Sequence, residues 1–245
     1  MEGYSAEQVR AAEAPHLAAG EPLMAIAAAG LAEAVRGVLR ERWADATADS
    51  GAAADTVRGA AVLVLVGTGN NGGDALFAAA QLAAEGADVV LVPVGDRMHP
   101  AGRDAAVAAG ARVREPTDAL AGLPALAAGS DVIVDGILGT GTGASPALRG
   151  VAREVVAAIL PALGDPFRPA VVAVDIPSGV SPDDGGVPDP TVLPADLTVT
   201  FGGVKAGLLL PPASRFAGRV LLVDIGLGPD LARMVPILRT SGESE

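Results

Sequence analysis

Three short segments of this 245-residue chain combine aspartates with glycines, and each follows a run of apolar residues. They read GTGNNGGD at residues 67–74, DGILGTGTGAS at residues 135–145 and DIPSG at residues 175–179. Aspartates can exchange protons or bind cations, and glycine-rich turns let backbone N–H groups bind phosphate oxygens. The three segments therefore predict a ligand site with acid–base or cation chemistry.

Each segment contributes one aspartate close to the end of its apolar run, namely Asp74, Asp135 and Asp175. Ligands of open parallel sheets bind beyond the carboxyl ends of the strands, so we expect these aspartates at one edge. Like charges so placed repel one another unless a cation, a shared proton or outward rotation of the side chains relieves the repulsion.

The glycines suggest a phosphate-bearing ligand. Gly67, Gly69 and Gly72 fit the pattern G-x-G-x-x-G between a predicted strand and a predicted helix, although glycines also serve tight turns. A second glycine-rich run, GTGTG, occupies residues 139–143, and two such loops suit a pyrophosphate or a dinucleotide. We expect Gly72 and Gly141 on surface loops that phosphates approach closely.

Asn70 and Asn71 are the only asparagines of the chain, and Lys205 is its only lysine. Amide, carboxylate and hydroxyl oxygens suit an alkali or alkaline-earth cation better than a transition metal. In the alternative interpretation, the two asparagines simply tolerate left-handed backbone angles in a loop.

Short apolar strands alternate with alanine-rich helical stretches after two N-terminal helices. This alternation predicts a Rossmann-like three-layer α/β/α sandwich with a mostly parallel sheet and an N-terminal helical extension. We expect a single domain over residues 1–245, with residues 1–50 packing as helices on the core, a small-residue break at 49–55 and a surface excursion at 182–194. The predicted strands are 61–66, 88–94, 132–135, 171–175, 197–201 and 219–224, and the predicted helices are 6–19, 23–44, 74–85, 103–109, 119–127 and 151–160.

Composition excludes several classes of function. The net charge of −12 argues against sequence-independent binding of nucleic acid. The chain has no cysteine, and His16 and His99 are too few for a conventional zinc centre, so His99 is interpreted as a loop residue. The apolar run at residues 23–32 is too short to span a bilayer, which favours a soluble cytoplasmic protein without membrane contact.

Taken together and in order, GTGNNGGD, VDGILGTGTG, VAVDIPSGV and DLTVTFGGVKAGLLLPPA resemble the NAD(P)H-hydrate epimerase family, the YjeF N-terminal domain. The resemblance runs from an opening VRAAEA helix to about residue 227. It implies an isomerase that interconverts the R and S forms of hydrated NADH and NADPH, called NADHX and NADPHX. It also implies a potassium ion, a homodimer and a dehydratase that acts on the product and is encoded in the same chain or separately.

The family motifs imply a role for each matching residue. Substrate-binding residues are then Asn70, Asn71, Gly72, Gly73, Asp74, Gly139, Thr140, Gly141, Thr142, Gly143, Ala144, Ser145 and Asp175, with residues 139–145 around the dinucleotide phosphates. The potassium ligands are Asn71, Asp135 and Ser178. The sequence departs from the family at LMAIAA, residues 23–28, where the family has an acidic residue and a glycine, and again at Val180 and Ser181.

The hydrated ring carries its hydroxyl on a carbon beside nitrogen, so inversion requires breaking the C–O bond or opening the ring. Either route needs one proton delivered and one removed, and a carboxyl group among other carboxylates can act as the acid. Asp175 is the predicted general acid, the alternative being a strand cap or a ribose ligand. Lys205 is the second candidate catalytic residue, the alternatives being a phosphate contact, a solvated charge or a partner of Asp224.

Two other classes of function stay open at the level of sequence. One is a non-catalytic nucleotide-binding or adaptor module on the same fold. The other is a nicotinamide-dependent dehydrogenase in which Asp96 holds a ribose hydroxyl. A hydrolase triad is disfavoured because no histidine follows Ser178, and a P-loop kinase because no G-K-[ST] follows the glycines.

Overall fold

The computed structural model describes residues 1–47, 57–116, 120–141 and 145–240. Seven strands form one sheet in which every neighbouring pair is parallel, and two short strands pair antiparallel outside it. The strands are β1 Glu2–Gly3, β2 Ala61–Val66, β3 Asp88–Pro93, β4 Arg112–Val113, β5 Val132–Gly136, β6 Ala170–Val174, β7 Leu197–Phe201, β8 Arg219–Val223 and β9 Leu238–Arg239. The main sheet has the order β4-β3-β2-β5-β6-β7-β8, and β1 pairs with β9.

Helices precede the sheet and connect its strands. They are α1 Ala6–Ala18, α2 Leu23–Thr47, α3 Asn70–Ala84, α4 Pro100–Ala108, α5 Leu123–Ala128, α6 Gly150–Ile159, α7 Ser214–Ala217 and α8 Gly228–Leu231. Single 3-10 turns lie at Leu160–Gly164 and Ala206–Leu209.

The central strands are buried on both faces, which is why they appear in the sequence as continuous apolar runs. Alternate residues of β2 show this directly. Val64 packs in one cluster with Leu31 of α2 and Leu76 of α3, whereas its neighbour Leu63 packs in a second cluster with Val155 of α6. The predicted α/β/α sandwich with a parallel sheet is thereby confirmed.

All six predicted strands lie within one residue of the observed ones, but β1, β4 and β9 were not predicted. The predicted break at residues 49–55 lies outside the described residues. The segment 182–194 does more than cover the surface, since Val192 and Leu193 are buried and pack in apolar clusters.

Within the described ranges, no single helix is both long enough and apolar enough to cross a membrane. Taken together, α1 and residues Leu23–Trp43 of α2 are long and apolar enough to cross a membrane, but the two helices meet at a bend of 119°.

Candidate active site

A cavity of about 500 Å³ lies beyond the carboxyl ends of β2, β5 and β6. It is surrounded by the loop after β2, the start of α3, the loop after β5 and one face of α1, together with Asp175 after β6 and Lys205 beyond β7. Its lining residues are Val9, Arg10, Glu13, Ala14, Leu17, Thr68, Gly69, Asn70, Asn71, Asp74, Ile137, Leu138, Gly139, Thr140, Gly141, Asp175, Phe201 and Lys205.

A buried ion pair lies in the wall of this cavity. The Lys205 side chain is 2% exposed, and its Nζ donates to Oδ1 of Asp175 at 2.5 Å and to the carbonyl oxygen of Phe201 at 3.0 Å. Thr200 Oγ1 also donates to Asp175 Oδ1, at 3.1 Å. Lys205 is therefore neither a solvated charge nor a partner of Asp224, which instead accepts the backbone N–H of Gly226.

The backbone of Asp175 has a φ of 67°, and it is the only residue other than glycine with positive φ in the described part of the chain. This left-handed conformation is disfavoured for side chains with a Cβ, and it persists where surrounding contacts enforce it, often at functional sites. The conformation turns the chain sharply at the end of β6 and leaves the carboxylate beside Lys205.

The N-terminal residues hold Lys205 in place. The N–H of Tyr4 donates to the carbonyl of Val204 at 2.8 Å, and the N–H of Ala206 donates to the carbonyl of Tyr4 at 2.9 Å. These two bonds flank Lys205, so the entry to α1 and the position of the lysine are coupled.

Helix α1 is fixed over the cavity at its first turn. Ser5 and Gln8 form a capping box in which each side chain accepts the backbone N–H of the other residue. The carboxylate of Asp183 accepts the N–H of Ala6 at 2.7 Å, which also complements the positive helix start. The segment predicted as a surface excursion thus anchors the helix that covers the site.

Arg10 and Glu13 enter the cavity from α1, and neither was among the predicted site residues. Arg10 Nη1 donates to the carbonyl of Thr140 at 3.0 Å, which joins α1 to the glycine-rich loop after β5. Burial raises the pKa of Glu13, and Asp175 adds to this effect while Lys205 and Arg10 oppose it. Both residues lie in VRAAEA, for which the sequence predicts only an opening helix.

Asp74 lies on α3, lines the same cavity and is 9% exposed. Burial raises the pKa of its carboxyl group to about 8, with further contributions from Asp175 and Glu13 and an opposing one from Lys205. Asp74 and Asp175 therefore share the cavity as expected, but the third carboxyl group there is Glu13 and not Asp135.

Asn70 and Asn71 are the first two residues of α3, which begins after the N-cap Gly69, so they do not lie in a loop. Their backbone angles are not left-handed, and the alternative interpretation of the asparagine pair is wrong. The N-terminus of α3 lies at the cavity, and the free N–H groups of a first helical turn favour anionic ligands.

Asn71, Asp135 and Ser178 meet around the backbone of residues 137 and 138. Asn71 Nδ2 donates to the carbonyl of Leu138 at 3.0 Å, and Ser178 Oγ accepts the N–H of Leu138 at 2.8 Å. Ser178 Oγ and N donate to the two carboxylate oxygens of Asp135 at 2.6 and 2.9 Å. The three residues predicted to bind one cation are therefore joined in one hydrogen-bonded group.

This group has the donor chemistry of an alkali-cation site. Asp135 is 1% exposed, burial raises its pKa, and no ion pair to it is found within the described ranges. A cation would offset the cost of burying this carboxylate, and the amide and hydroxyl oxygens of Asn71 and Ser178 are hard ligands. These residues fit a monovalent cation.

Residues 20–207 match the family described as YjeF-related protein N-terminus. The chain belongs to this family. An NAD(P)H-hydrate epimerase of Clavibacter michiganensis subsp. michiganensis is 53% identical over 242 residues, 98% of this chain and 96% of the relative. An NAD(P)H-hydrate epimerase of Microbacterium testaceum is 50% identical over 233 residues, which cover 95% of this chain and 82% of the relative.

A YjeF-related domain also occurs within longer relatives. The bifunctional NAD(P)H-hydrate repair enzyme Nnr of Mycobacterium tuberculosis is 41% identical over 233 residues, covering 94% of this chain but 42% of that protein. The crystal structure of yeast ynu0, YNL200c, has a TM-score of 0.65 at 21% identity and covers 84% of this chain and 83% of its own, which supports the fold.

In this YjeF-related chain, several glycines of the predicted phosphate loops serve backbone packing. A Cβ on Gly72 would lie 2.1 Å from the carbonyl oxygen of Gly67, and one on Gly67 would lie 1.8 Å from that of Ile137. Gly72 is thus buried in α3, and its predicted place on a surface loop is wrong. Gly73 faces Met24 and His99, so neither Gly72 nor Gly73 lines the cavity.

The loop after β5 contains both lining and packing residues of the YjeF-related site. Gly139 lets Asn71 approach, because a Cβ there would lie 3.0 Å from Asn71 Oδ1, whereas Gly141 faces open space. Ser145 lines a separate hollow with Arg149 and other residues, away from the cavity. Thr142, Gly143 and Ala144 lie outside the described residues.

Two further residues of this YjeF-related chain lie elsewhere. Asp96, considered as a ribose ligand in a dehydrogenase, is exposed and does not line the cavity. His99 is the N-cap of α4, where its Nδ1 accepts the N–H of Gly102 at 3.1 Å and its ring packs edge-on against Phe77.

Proposed function

We propose that this chain is an NAD(P)H-hydrate epimerase, an isomerase that interconverts the R and S forms of hydrated NADH and NADPH. The observation that carries the proposal is the buried Asp175–Lys205 pair in the wall of the cavity. It lies in a chain that is 53% identical, over almost its whole length, to a relative named for this activity.

The reaction needs a proton donor and a proton acceptor but no redox change. Asp175 is the acceptor in this proposal, because its carboxylate lines the cavity and its Oδ1 accepts a hydrogen bond from the Lys205 ammonium. This replaces the donor role expected for Asp175 from the sequence. Lys205 acts by holding the carboxylate in place. Such acid–base help contributes roughly 10²–10⁴-fold to a rate.

The cavity walls support one orientation of the substrate. The nicotinamide half lies beside Asp175 and Asp74, and the phosphates lie along the first part of the loop after β5, residues 139–141. Open space at Gly141 and the N–H groups at the start of α3 support this orientation. Arg10, bound to Thr140, brings a positive charge to the phosphate end.

Potassium is the cofactor in this proposal, with Asn71, Asp135 and Ser178 as its protein ligands. When bound, the ion supplies a positive charge that compensates the buried Asp135 carboxylate. The residues' own task is to hold the backbone of residues 137–139 against the start of α3, as their hydrogen bonds already do.

The proposal extends to partners. A dehydratase consumes the product in this proposal. This agrees with the bifunctional repair enzyme of Mycobacterium tuberculosis, because the match to this chain covers only 42% of that longer protein. We also propose a cytoplasmic homodimer of single-domain chains. The edge strand β8 supports the dimer, since Leu221 and Leu222 are 42% and 45% exposed there.

One assay tests the activity. The protein is incubated with the epimer that the dehydratase does not accept, and conversion to the other epimer is followed by chromatography against the spontaneous rate. Enzyme-dependent conversion is expected. Tight binding of the epimer without any acceleration would instead identify a non-catalytic binding module and overturn the proposal.

A further inference from the structure

The cavity contains more acidic groups than its basic groups can neutralise. Glu13, Asp74 and Asp175 line it together with Arg10 and Lys205. Lys205 forms an ion pair with Asp175, and the Arg10 guanidinium donates a hydrogen bond to the carbonyl of Thr140. Glu13 and Asp74 are therefore left without an ion-pair partner among the described residues that line the cavity.

Of these two carboxyl groups, Asp74 is the more enclosed. It is buried on α3, whereas Glu13 is half-buried on the surface helix α1. Ionising Asp74 would place a second buried negative charge in the cavity beside Asp175, with one buried ammonium for both. The electrostatic cost is avoided when Asp74 retains its proton, and the raised pKa of Asp74 agrees with this geometry.

We infer that Asp74 is the proton donor of the epimerisation, acting opposite the Asp175 carboxylate as the acceptor. This assignment rests on the proposed function and adds to it a role for a residue expected only to bind substrate. Two carboxyl groups in one cavity thus take different protonation states, which divides the acid and base tasks between them.

The chemical step balances with water alone. The ring nitrogen's electron pair forms a C=N bond as the C6–O bond breaks, and the departing oxygen takes the Asp74 proton and leaves as water. Water then adds to the other face of C6 and gives one proton to the Asp175 carboxylate. Transfer of that proton back to Asp74, through solvent, restores both groups. Ring opening would need the same donor and acceptor.

The test compares Asp74→Asn with Glu13→Gln and with Glu154→Gln, an exposed carboxyl group on α6 outside the cavity. The pH profiles of kcat and KM are measured for each protein between pH 6 and 9.5, with the spontaneous rate subtracted. We expect Asp74→Asn to lower kcat by about 10²-fold with KM changed less than about threefold, because the lost transfer occurs in the transition state. Glu154→Gln should match the wild type.

The pH profile separates proton donation from a structural role. Wild-type kcat should fall as pH rises through about 8, where Asp74 ionises, and this limb should disappear in Asp74→Asn and persist in Glu13→Gln. Loss of the limb in Glu13→Gln alone would assign the donor to Glu13 and overturn the inference.

Other outcomes also decide the question. A rise in KM with kcat unchanged would make Asp74 a binding residue. If Asp74→Asn does not fold, the wild-type profile decides, and a kcat that is flat from pH 6 to 9.5 overturns the inference. A wild type that does not epimerise at all refutes the proposed function and the inference with it, whereas an active wild type with a fully active Asp74→Asn refutes the inference only.

Discussion

Lys205 Nζ lies 2.5 Å from Oδ1 of Asp175, and the two residues come from the ends of neighbouring strands β6 and β7. Both side chains are buried, so each is the other's principal source of charge compensation. Breaking a buried pair by removing one partner leaves an uncompensated charge, which is far more costly than removing both.

The first prediction concerns this pair's contribution to stability. Lys205→Met should lower the free energy of unfolding by about 3–5 kcal/mol, because the Asp175 carboxylate then lies buried without its cation. The double variant Asp175→Asn/Lys205→Met should regain a large part of that loss while staying inactive. Urea denaturation of the wild type, Lys205→Met, Asp175→Asn and the double variant forms a complete double-mutant cycle. A double variant no more stable than Lys205→Met would show that the pair is not coupled.

The second prediction separates chemistry from positioning at Asp175. Asparagine is nearly isosteric and, like aspartate, tolerates the positive φ found here, so Asp175→Asn should fold. It cannot accept a proton, and kcat should fall by about 10²-fold or more while dinucleotide binding persists. Steady-state kinetics measure this, and an effect confined to KM would limit Asp175 to substrate positioning.

The third prediction contrasts two glycines of the predicted phosphate loops. Gly72→Ala should destabilise the fold by about 1–3 kcal/mol, because its Cβ would lie 2.1 Å from the Gly67 carbonyl oxygen. Gly141→Ala meets open space and should leave the melting temperature unchanged while raising KM about tenfold, or about 1.4 kcal/mol. Thermal melts and kinetics of both variants check the contrast, which fails if Gly141→Ala binds the dinucleotide normally.

The fourth prediction concerns the cation. Replacing potassium chloride with tetramethylammonium chloride should lower the melting temperature, since an ion bound only to the folded state stabilises it by about 2.7 kcal/mol at 100 times its Kd. Asn71→Ala should remove this difference, and the adjacent Asn70→Ala, which changes the same residue type outside the ligand group, should retain it. Equal melting in both salts for the wild type would argue against the site.

Sequence patterns were informative where burial is uniform along an element. The strands β2, β5 and β6 are buried on both faces, so apolar runs gave their bounds within one residue. The sequence predicts the start of α3 four residues too late, because asparagine and glycine are weak helix formers. Tertiary contacts, Gly72 against Gly67 and Asn71 with Leu138, decide the conformation there.

Which residues line the cavity depends on contacts between segments that are distant in the sequence. Lys205 and Asp175 are 30 residues apart, and Glu13 reaches the cavity because contacts that include Asp183 and the Tyr4 backbone fix α1 above it. No periodicity in α1 indicates which neighbour its faces contact. The motif resemblance alone pointed to the helix, and only the packing shows that Arg10 and Glu13 face the cavity.

The last prediction uses the protonation of Asp74 to test its environment without substrate. Its pKa is raised to about 8 in the folded state and is near its ordinary value of 3.8 when the chain unfolds. Between these values the folded state binds the extra proton, so the stability that Asp74 contributes is complete below pH 4 and is lost as pH rises through about 8. Asp74→Asn carries no such proton, and one pKa unit corresponds to about 1.4 kcal/mol. The stability of Asp74→Asn minus that of the wild type should therefore increase by about 2–5 kcal/mol when the pH is raised from 5 to 9.

Urea unfolding at both pH values measures this increase, with Glu154→Gln as the control that should show none. Since Glu13 titrates in both the wild type and Asp74→Asn, their difference isolates Asp74. If the difference in stability between Asp74→Asn and the wild type is the same at pH 5 and pH 9, Asp74 is already ionised at pH 5. That result would contradict a buried, protonated carboxyl group facing Asp175.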